Sequence, residues 1–212
     1  MDRITEIYSR LRPCRLFADV GCDHGFVAEL VVKNALAEKV YVSDVSEKCL
    51  AKAEKLLAVH MRTGLVESFV SDGFAAFPET PDQALVAGMG GEEIVKILSA
   101  AAELPERLVL QPMKNAPKVR RFLADNGYKI AEDVTFRDVR YYDIIVAARG
   151  ADELSADEEF FGRTNLAERP EAFIGKIKAE LADIAEYLAK PMGETARAEL
   201  LARKERLEKV LL

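Results

Sequence analysis

The sequence predicts an open α/β sheet of seven strands, doubly wound by crossover helices, followed by an α-helical hairpin. Three observations carry this expectation. Up to residue 150, short apolar and β-branched runs alternate with stretches of helical periodicity, the pattern of a parallel sheet covered on both faces. The first three of these runs lead into an acid, Asp19, Asp44 and Asp72 in turn. Past Gly150 the strand-like runs stop, and two patterns of apolar residues spaced by threes and fours flank the breaker Lys190-Pro191-Met192-Gly193.

Ile4, Ile7, Tyr8 and Leu11 fall at helical spacing, so a short amphipathic helix precedes Pro13 and lids the sheet. Leu16 to Ala18 is the first strand, and Asp19-Val20-Gly21-Cys22-Asp23-His24-Gly25 is a tight turn into a helix over about residues 25–35. In an open parallel sheet, ligands bind at the carboxyl ends of the strands, and the first strand-to-helix turn brings backbone nearest to them, which calls for glycine. The spacing argues against a dinucleotide. A pyrophosphate turn carries G-x-G-x-x-G, and here position 23 is Asp. Two acids in such a turn are poor hosts for phosphate and suit an amino-acid-like ligand with a cationic ammonium group.

Lys39 to Asp44 is the second strand. Asp44 lies 25 residues after Asp19, the length of one helix plus one strand, and a carboxylate there can accept both hydroxyls of a ribose or simply cap the next helix. That helix, over residues 47–62, carries Leu50, Ala53, Leu57 and Met61 on one face. Leu65 to Val70 is the third strand, leading into Ser71-Asp72-Gly73-Phe74. The fourth, Gln83 to Ala87, ends in Gly88-Met89-Gly90-Gly91, where three glycines leave mainly backbone to face a ligand, and a helix over 92–102 follows. Residues 107–112 form the fifth strand, with Pro117 near the first turn of the next helix. Residues 128–136 and 141–147 read as a closing antiparallel hairpin whose second strand, nearly all apolar, is interior. Ser155 and Glu158 are spaced as a capping box, and Gly162 to Asn165 reads as a turn. Ile174, Ile177, Leu181, Ile184 and Leu188 face Ala196, Leu200, Arg203, Leu207 and Val210 in an antiparallel coiled coil over 170–212. The expected domains are residues 1–150 and 151–212.

With 212 residues, half of them hydrophobic, the chain can bury one sizeable core and carry a small appendage. No apolar run approaches the roughly 18 residues of a membrane span, and the N-terminal residues lack the apolar stretch of a signal peptide, so a cytoplasmic location is expected. Cys14, Cys22 and Cys49 form no C-x-x-C pair and are expected as reduced thiols; with only His24 and His60, no metal site is expected. The net charge of −6 is unevenly spread. Residues 1–106 hold 11 basic and 17 acidic side chains, residues 151–212 hold 10 and 14, but residues 107–150 hold 9 and 5. Lys114, Lys118, Arg120 and Arg121 lie within eight residues of this basic block, as either a solvated helix face or a contact for a polyanion.

The pattern D-x-G-x-x-x-G after the first strand resembles motif I of the class I S-adenosylmethionine (SAM) methyltransferases. The ordered set DVGCDHG, SDVS, SDGF, AGMGG, LQP and YYDIIVA resembles, over nearly the whole chain, the TrmK family of bacterial tRNA (adenine-N1)-methyltransferases that act on adenine 22. The resemblance implies a Rossmann-like seven-stranded methyltransferase sheet with a C-terminal coiled-coil domain, SAM as cofactor and tRNA as partner. It implies that Asp19, Gly21, Cys22, Asp23, His24 and Gly25 form the first SAM loop, that Asp44 holds the ribose and that Val45 beside it also contacts the cofactor. It places Asp72 and Gly73, with Phe74 a weaker candidate for stacking, at the adenine, and Gly88, Met89 and Gly90 at the methyl-transfer site. Gln111, Lys114, Lys118, Arg120 and Arg121 fall on the substrate side, although LQPMKN departs from the family's LQPN-like run. A monomer is expected. Adenine N1 has a free lone pair, so no general base is needed, which agrees with a glycine-lined fourth loop. Two other readings fit the same residues: a SAM-dependent methyltransferase of a small molecule or protein, and a non-catalytic adenosine-binding protein with a coiled-coil partner site.

Overall fold

The computed structural model describes residues 2–212. The chain runs α1 (Arg3–Tyr8), β1 (Cys14–Val20), α2 (Phe26–Lys33), β2 (Ala37–Asp44), α3 (Glu47–Arg62), β3 (Val66–Val70), β4 (Gln83–Gly90), α4 (Gly91–Ala100), β5 (Arg107–Lys114), α5 (Ala116–Asp125), β6 (Tyr128–Arg137) and β7 (Tyr141–Arg149). It ends in α6 (Ala156–Phe161), α7 (Arg163–Glu168), α8 (Glu171–Leu188) and α9 (Glu194–Leu211).

The strands form one sheet in the order β3-β2-β1-β4-β5-β7-β6. β7 is antiparallel to both β5 and β6, so the apolar last strand is interior as its composition requires. The chain builds outward from β1 to β3 and then returns to place β4 on the other side of β1, which opens a crevice at the carboxyl ends of β1 and β4. Alternate side chains divide the core. Phe17, Leu85, Val109 and Val146 point to the face covered by α1, α2 and α3, whereas Ala18, Val86, Leu110 and Ile145 point to the face covered by α4 and α5. Phe74 is 8% exposed and belongs to the second of these cores, packed edge-on to Phe77, so it is not a free stacking surface. A third cluster joins α8 and α9 through Ile177, Ile184, Leu207 and Val210, and Phe161 from α6 and Phe173 from α8 extend it toward the sheet.

Two local expectations are corrected. The glycines after β4 do not begin a turn at residue 88: the strand continues to Gly90 through a bulge, with register shifts on either side of Met89. Residues 163–165 are the start of α7, with Gly162 alone at a positive φ of 90° before it. The reason lies in β6, an edge strand. Its Asp133 and Thr135 N–H groups donate to Thr164 Oγ1 (3.1 Å) and Asn165 Oδ1 (2.8 Å), so α7 covers an edge that would otherwise be unpaired.

The structure also removes Arg120 from the basic surface. Its side chain is 2% exposed and forms a fork with Asp133 of β6, while Nη1 donates to the Glu159 and Phe160 carbonyls at 3.1 and 3.0 Å. Four of its five N–H groups donate within the fold, tying α5, β6 and α6 together. Arg120→Met leaves Asp133 buried without a counter-charge and is expected to cost about 3–5 kcal/mol. Urea unfolding followed by circular dichroism checks this; a loss below about 1 kcal/mol would mean that the pair is not closed in solution.

Candidate active site

The turn after β1 is shaped by what it must bond. Gly21 (φ 72°) and Cys22 donate their N–H groups to the Ser43 carbonyl at the end of β2 (2.8 and 2.9 Å), and Gly25 (φ 73°) donates to the Cys22 carbonyl (2.8 Å) before α2 begins. Asp44, 9% exposed, accepts from the Asp23 N–H at 3.2 Å with one oxygen and from the Ser46 N–H at 2.9 Å with the other. The Ser71 N–H donates to the Asp44 carbonyl (3.0 Å), and the Ser43 hydroxyl lies 3.4 Å from the Gly73 carbonyl. The loops carrying Asp19 to Gly25, Asp44 to Val45 and Asp72 to Gly73 are thus bonded to one another through two residues of β2.

A cavity of about 320 Å³ opens beside this hub, between the β1 turn, the Gly88–Met89 bulge and α1. Asp19, Gly21, Cys22, Asp23, His24, Gly88 and Met89 line it, which brings together the residues expected of the first and fourth loops. Met89 folds back so that its methyl occupies the space above Gly21; a Cβ there would lie 1.9 Å from it. Asp44, Val45, Asp72 and Gly73 lie outside the cavity wall, on the neighbouring loops, with Val45 74% exposed and Asp72 open to solvent, 3.4 Å from Lys96.

The two acids of the first turn differ in role. Asp23 faces α3, where its carboxylate meets Lys52 at 2.9 Å and His24 Nδ1 at 2.7 Å, and the Lys52 contact holds its pKa below the usual carboxylate range. Its charge is already paired. Asp19 is buried at the base of the cavity, and burial pushes its pKa up to about 7, with the Ala28 N–H opposing the rise and the Asp44 charge adding to it. Cys22, also buried, has its thiol pushed well up by burial and by Asp19, so it is protonated and unreactive.

Several lining residues were not singled out from the sequence. Arg3 reaches from α1 over the cavity: its guanidinium lies 3.9 Å from the Met113 sulfur and 5.7 Å from the centre of the Tyr142 ring, with no carboxylate partner among the described residues. Ile4 and Ile7 close the same side, and Phe26 stacks on His24 (5.2 Å between ring centres). A six-residue amphipathic helix signals packing; that its first residue would turn a cation into a cavity depends on where the strands bring it.

On the substrate side the expected residues separate. Gln111 is fully enclosed, its Nε2 3.2 Å from the Pro112 carbonyl and its Oε1 without a partner, so its side chain is not a surface contact for a substrate. Lys118 is paired with Glu92 (3.0 Å) and Arg121 with Glu159, both well exposed and free to exchange partners. Lys114 is exposed and has no acidic partner among the described residues. No group of three or more potential metal ligands is found among them either.

A seven-stranded sheet of this order, with its loops converging at the carboxyl ends of β1, β2 and β4, defines a Rossmann-like protein of the methyltransferase type. The chain belongs to the TrmK family, described as tRNA (adenine(22)-N(1))-methyltransferase, whose sequence model matches residues 17–211. The tRNA (adenine(22)-N(1))-methyltransferase of Bacillus subtilis is 26% identical over 147 residues, 67% of this chain and 62% of its own. Matches to the curated relatives thus span about 62% of their length. Among solved structures, a Streptococcus pneumoniae protein in complex with S-adenosyl-L-methionine superposes with a TM-score of 0.87 at 27% identity, covering 99% of this chain and 98% of the other. M. capricolum TrmK, bound to S-adenosyl-homocysteine, gives 0.88 at 20% identity, covering 99% and 96%.

Asp19 supplies a test of the cavity in the absence of ligand. A carboxyl group whose folded pKa is raised from about 3.8 to about 7 destabilises the fold progressively as pH rises through that window, and fully above it. Asp19→Asn is therefore expected to raise the melting temperature at pH 8 and leave it unchanged at pH 4. Equal melting temperatures of the two proteins at pH 8 would show that Asp19 is not desolvated.

Proposed function

We propose that this protein transfers a methyl group from SAM to N1 of adenine 22 in tRNA. The observation that carries the cofactor is the charge pattern of the cavity. A buried acid without a counter-ion, Asp19, and an unpaired cation, Arg3, line one small chamber, which suits the ammonium and carboxylate of an α-amino acid. Asp44 would hold the ribose hydroxyls, Val45 and the Asp72–Gly73 loop the adenine, and the bulged backbone of Gly88 to Gly90 the edge of the site where the methyl leaves. When bound, SAM supplies a methyl group made electrophilic by a sulfonium.

The chain's own part in the reaction is positioning. Adenine N1 attacks with its lone pair and has no proton to lose, so alignment and the exclusion of water are what the site must provide. Gly88 and the apolar Met89 side chain on the cavity wall offer the incoming base no proton acceptor, and α1 with Ile4 and Ile7 keeps water from one side. An adenine held within the tRNA fold must be turned out to reach the cavity, at a cost of a few kcal/mol. Residues 1–150 are read as the catalytic domain and 151–212 as a helical appendage that α6 and α7 fasten to the sheet. Action on tRNA in the cytoplasm as a monomer completes the reading; no helix among the described residues is long and apolar enough to cross a membrane.

Incubation with SAM and an unmodified tRNA transcript, followed by nucleoside mass spectrometry, is expected to give 1-methyladenosine at position 22. Product at another atom or no product at all would refute the proposal. Asp44→Ala removes charge-assisted hydrogen bonds and is expected to weaken SAM binding by about ten- to a hundredfold, by calorimetry. The pH dependence has a definite sign. Below pH 7 Asp19 must release a proton to face the ammonium, so SAM affinity falls as pH drops, by up to about tenfold per unit, and Asp19→Asn binds weakly with a flat profile. A profile that stays steep in Asp19→Asn would assign the titration elsewhere.

A further inference from the structure

A second cleft of about 290 Å³ lies between the catalytic sheet and the helical hairpin. It sits at the same end of the sheet as the first cavity, beyond the carboxyl end of β5, but on the face covered by α5. Met113 is the partition: it lines this cleft, and its sulfur touches Arg3, which lines the other. The cleft has two half-buried aromatic walls, Tyr141 from β7 and Phe160 from α6. The guanidinium groups of Arg137 (5.4 Å from the Tyr141 ring centre) and of Arg206 and Arg203 (4.3 and 5.3 Å from the Phe160 ring centre) lie over them and must give way to a base.

Its floor is fixed by charge pairs that leave little freedom. Arg120 is locked to Asp133, Asp143 holds Lys176 of α8 and accepts from Thr135 Oγ1 at 2.7 Å, and Arg203 of α9 is paired with Glu180. Each of these cations already has its acid. Lys114 is the surplus charge, on the rim, lying over Gly90 so that a Cβ there would be 3.2 Å from its Cε. One free cation on the rim of a cleft with two aromatic side chains, in register with Gly90 at the end of β4, matches a nucleotide: a base to stack and a phosphate to neutralise.

We propose that this cleft receives a nucleotide flanking the target adenine, its base against Tyr141 and Phe160 and its phosphate at Lys114. This rests on the tRNA methyltransferase reading. When one base leaves the stack, its neighbour loses a stacking partner, and an aromatic cleft next to the catalytic cavity replaces it. The walls come from the sheet on one side and from α6, α8 and α9 on the other, so the helical appendage completes a substrate site rather than only enlarging the protein.

The test uses the full chain with S-adenosyl-homocysteine and tRNA transcripts carrying 2-aminopurine at position 21 or 23. One of the two is expected to be quenched on binding, and Tyr141→Leu is expected to abolish the quench while keeping SAM affinity, which shows that the variant is folded. Lys114→Met is expected to raise KM for tRNA about tenfold with kcat and SAM affinity unchanged, and to flatten the log–log salt dependence of tRNA binding by about 0.7–0.9, one phosphate contact. Quenching retained in both Tyr141→Leu and Phe160→Leu would overturn the proposal, as would an unaltered salt slope in Lys114→Met. Adenosine monophosphate titrated alone distinguishes a free nucleotide: saturation of the cleft by it, with tRNA KM unchanged in Lys114→Met, also overturns it. The parent reading is scored separately, by 1-methyladenosine in the wild-type reaction. Its absence there removes both, whereas its presence beside unaffected variants removes the cleft alone.

Discussion

Everything at the carboxyl edge of this sheet hangs on the last two residues of β2, Ser43 and Asp44. Where a parallel strand runs out, its backbone groups lose their ladder partners and must find others. Here the Ser43 carbonyl takes two N–H groups from the β1 turn, the Asp44 carbonyl takes the Ser71 N–H, and the Asp44 carboxylate takes one N–H from each of the β1 turn and the start of α3. Three loops at the carboxyl edge of the sheet are thereby bonded to one another. The glycines of the β1 turn serve the same end, since Gly21 carries a positive φ while presenting its N–H to Ser43.

The charges follow from this frame. Because Lys52 neutralises Asp23, the acid left to meet a ligand is Asp19, at the base of the cavity and held partly protonated near neutral pH by burial. Arg3 supplies the opposite charge from α1, the helix just before β1 in the chain. At the other wall of the cavity, β4 is bulged at Met89, whose side chain folds onto Gly21. The hairpin is fastened to this domain through Lys176 on the buried Asp143, and α6 through the Glu159 and Phe160 carbonyls on Arg120, while Phe161 packs edge-on to Phe173 and ties α6 to α8.

What was legible in the sequence was what local pattern determines. The three strand-ending acids, the capping box at Ser155 and Glu158, the bounds of α3 and the closing β6–β7 hairpin all follow from spacing within a few residues. What was not legible depended on partners far along the chain. Arg120 looked like its neighbours Lys118 and Arg121 until Asp133 was brought beneath it. Phe74 stayed a weaker candidate for stacking because Phe77 and the α4 face, which place it in the core, are not visible in local pattern. Residues 163–165 carry no helix-start signal strong enough to outweigh Gly162, and become helical because the open edge of β6 needs the side chains of Thr164 and Asn165. Arg3 and Phe26 reach the cavity through the placement of α1 and α2 over β1 and β4, which a one-dimensional pattern does not encode.

The central claim is that the cavity aligns a base whose N1 lone pair is the nucleophile, with no proton transfer by the chain. The most direct measurement is single-turnover methyl transfer from labelled SAM to a tRNA in which adenine 22 is replaced by 1-deazaadenine, where a C–H stands in place of N1. The account predicts that this tRNA binds with nearly the affinity of the natural one and accepts no methyl group at position 22. Methylation of the 1-deazaadenine at any of its remaining atoms, at a rate comparable to that of adenine, would contradict it.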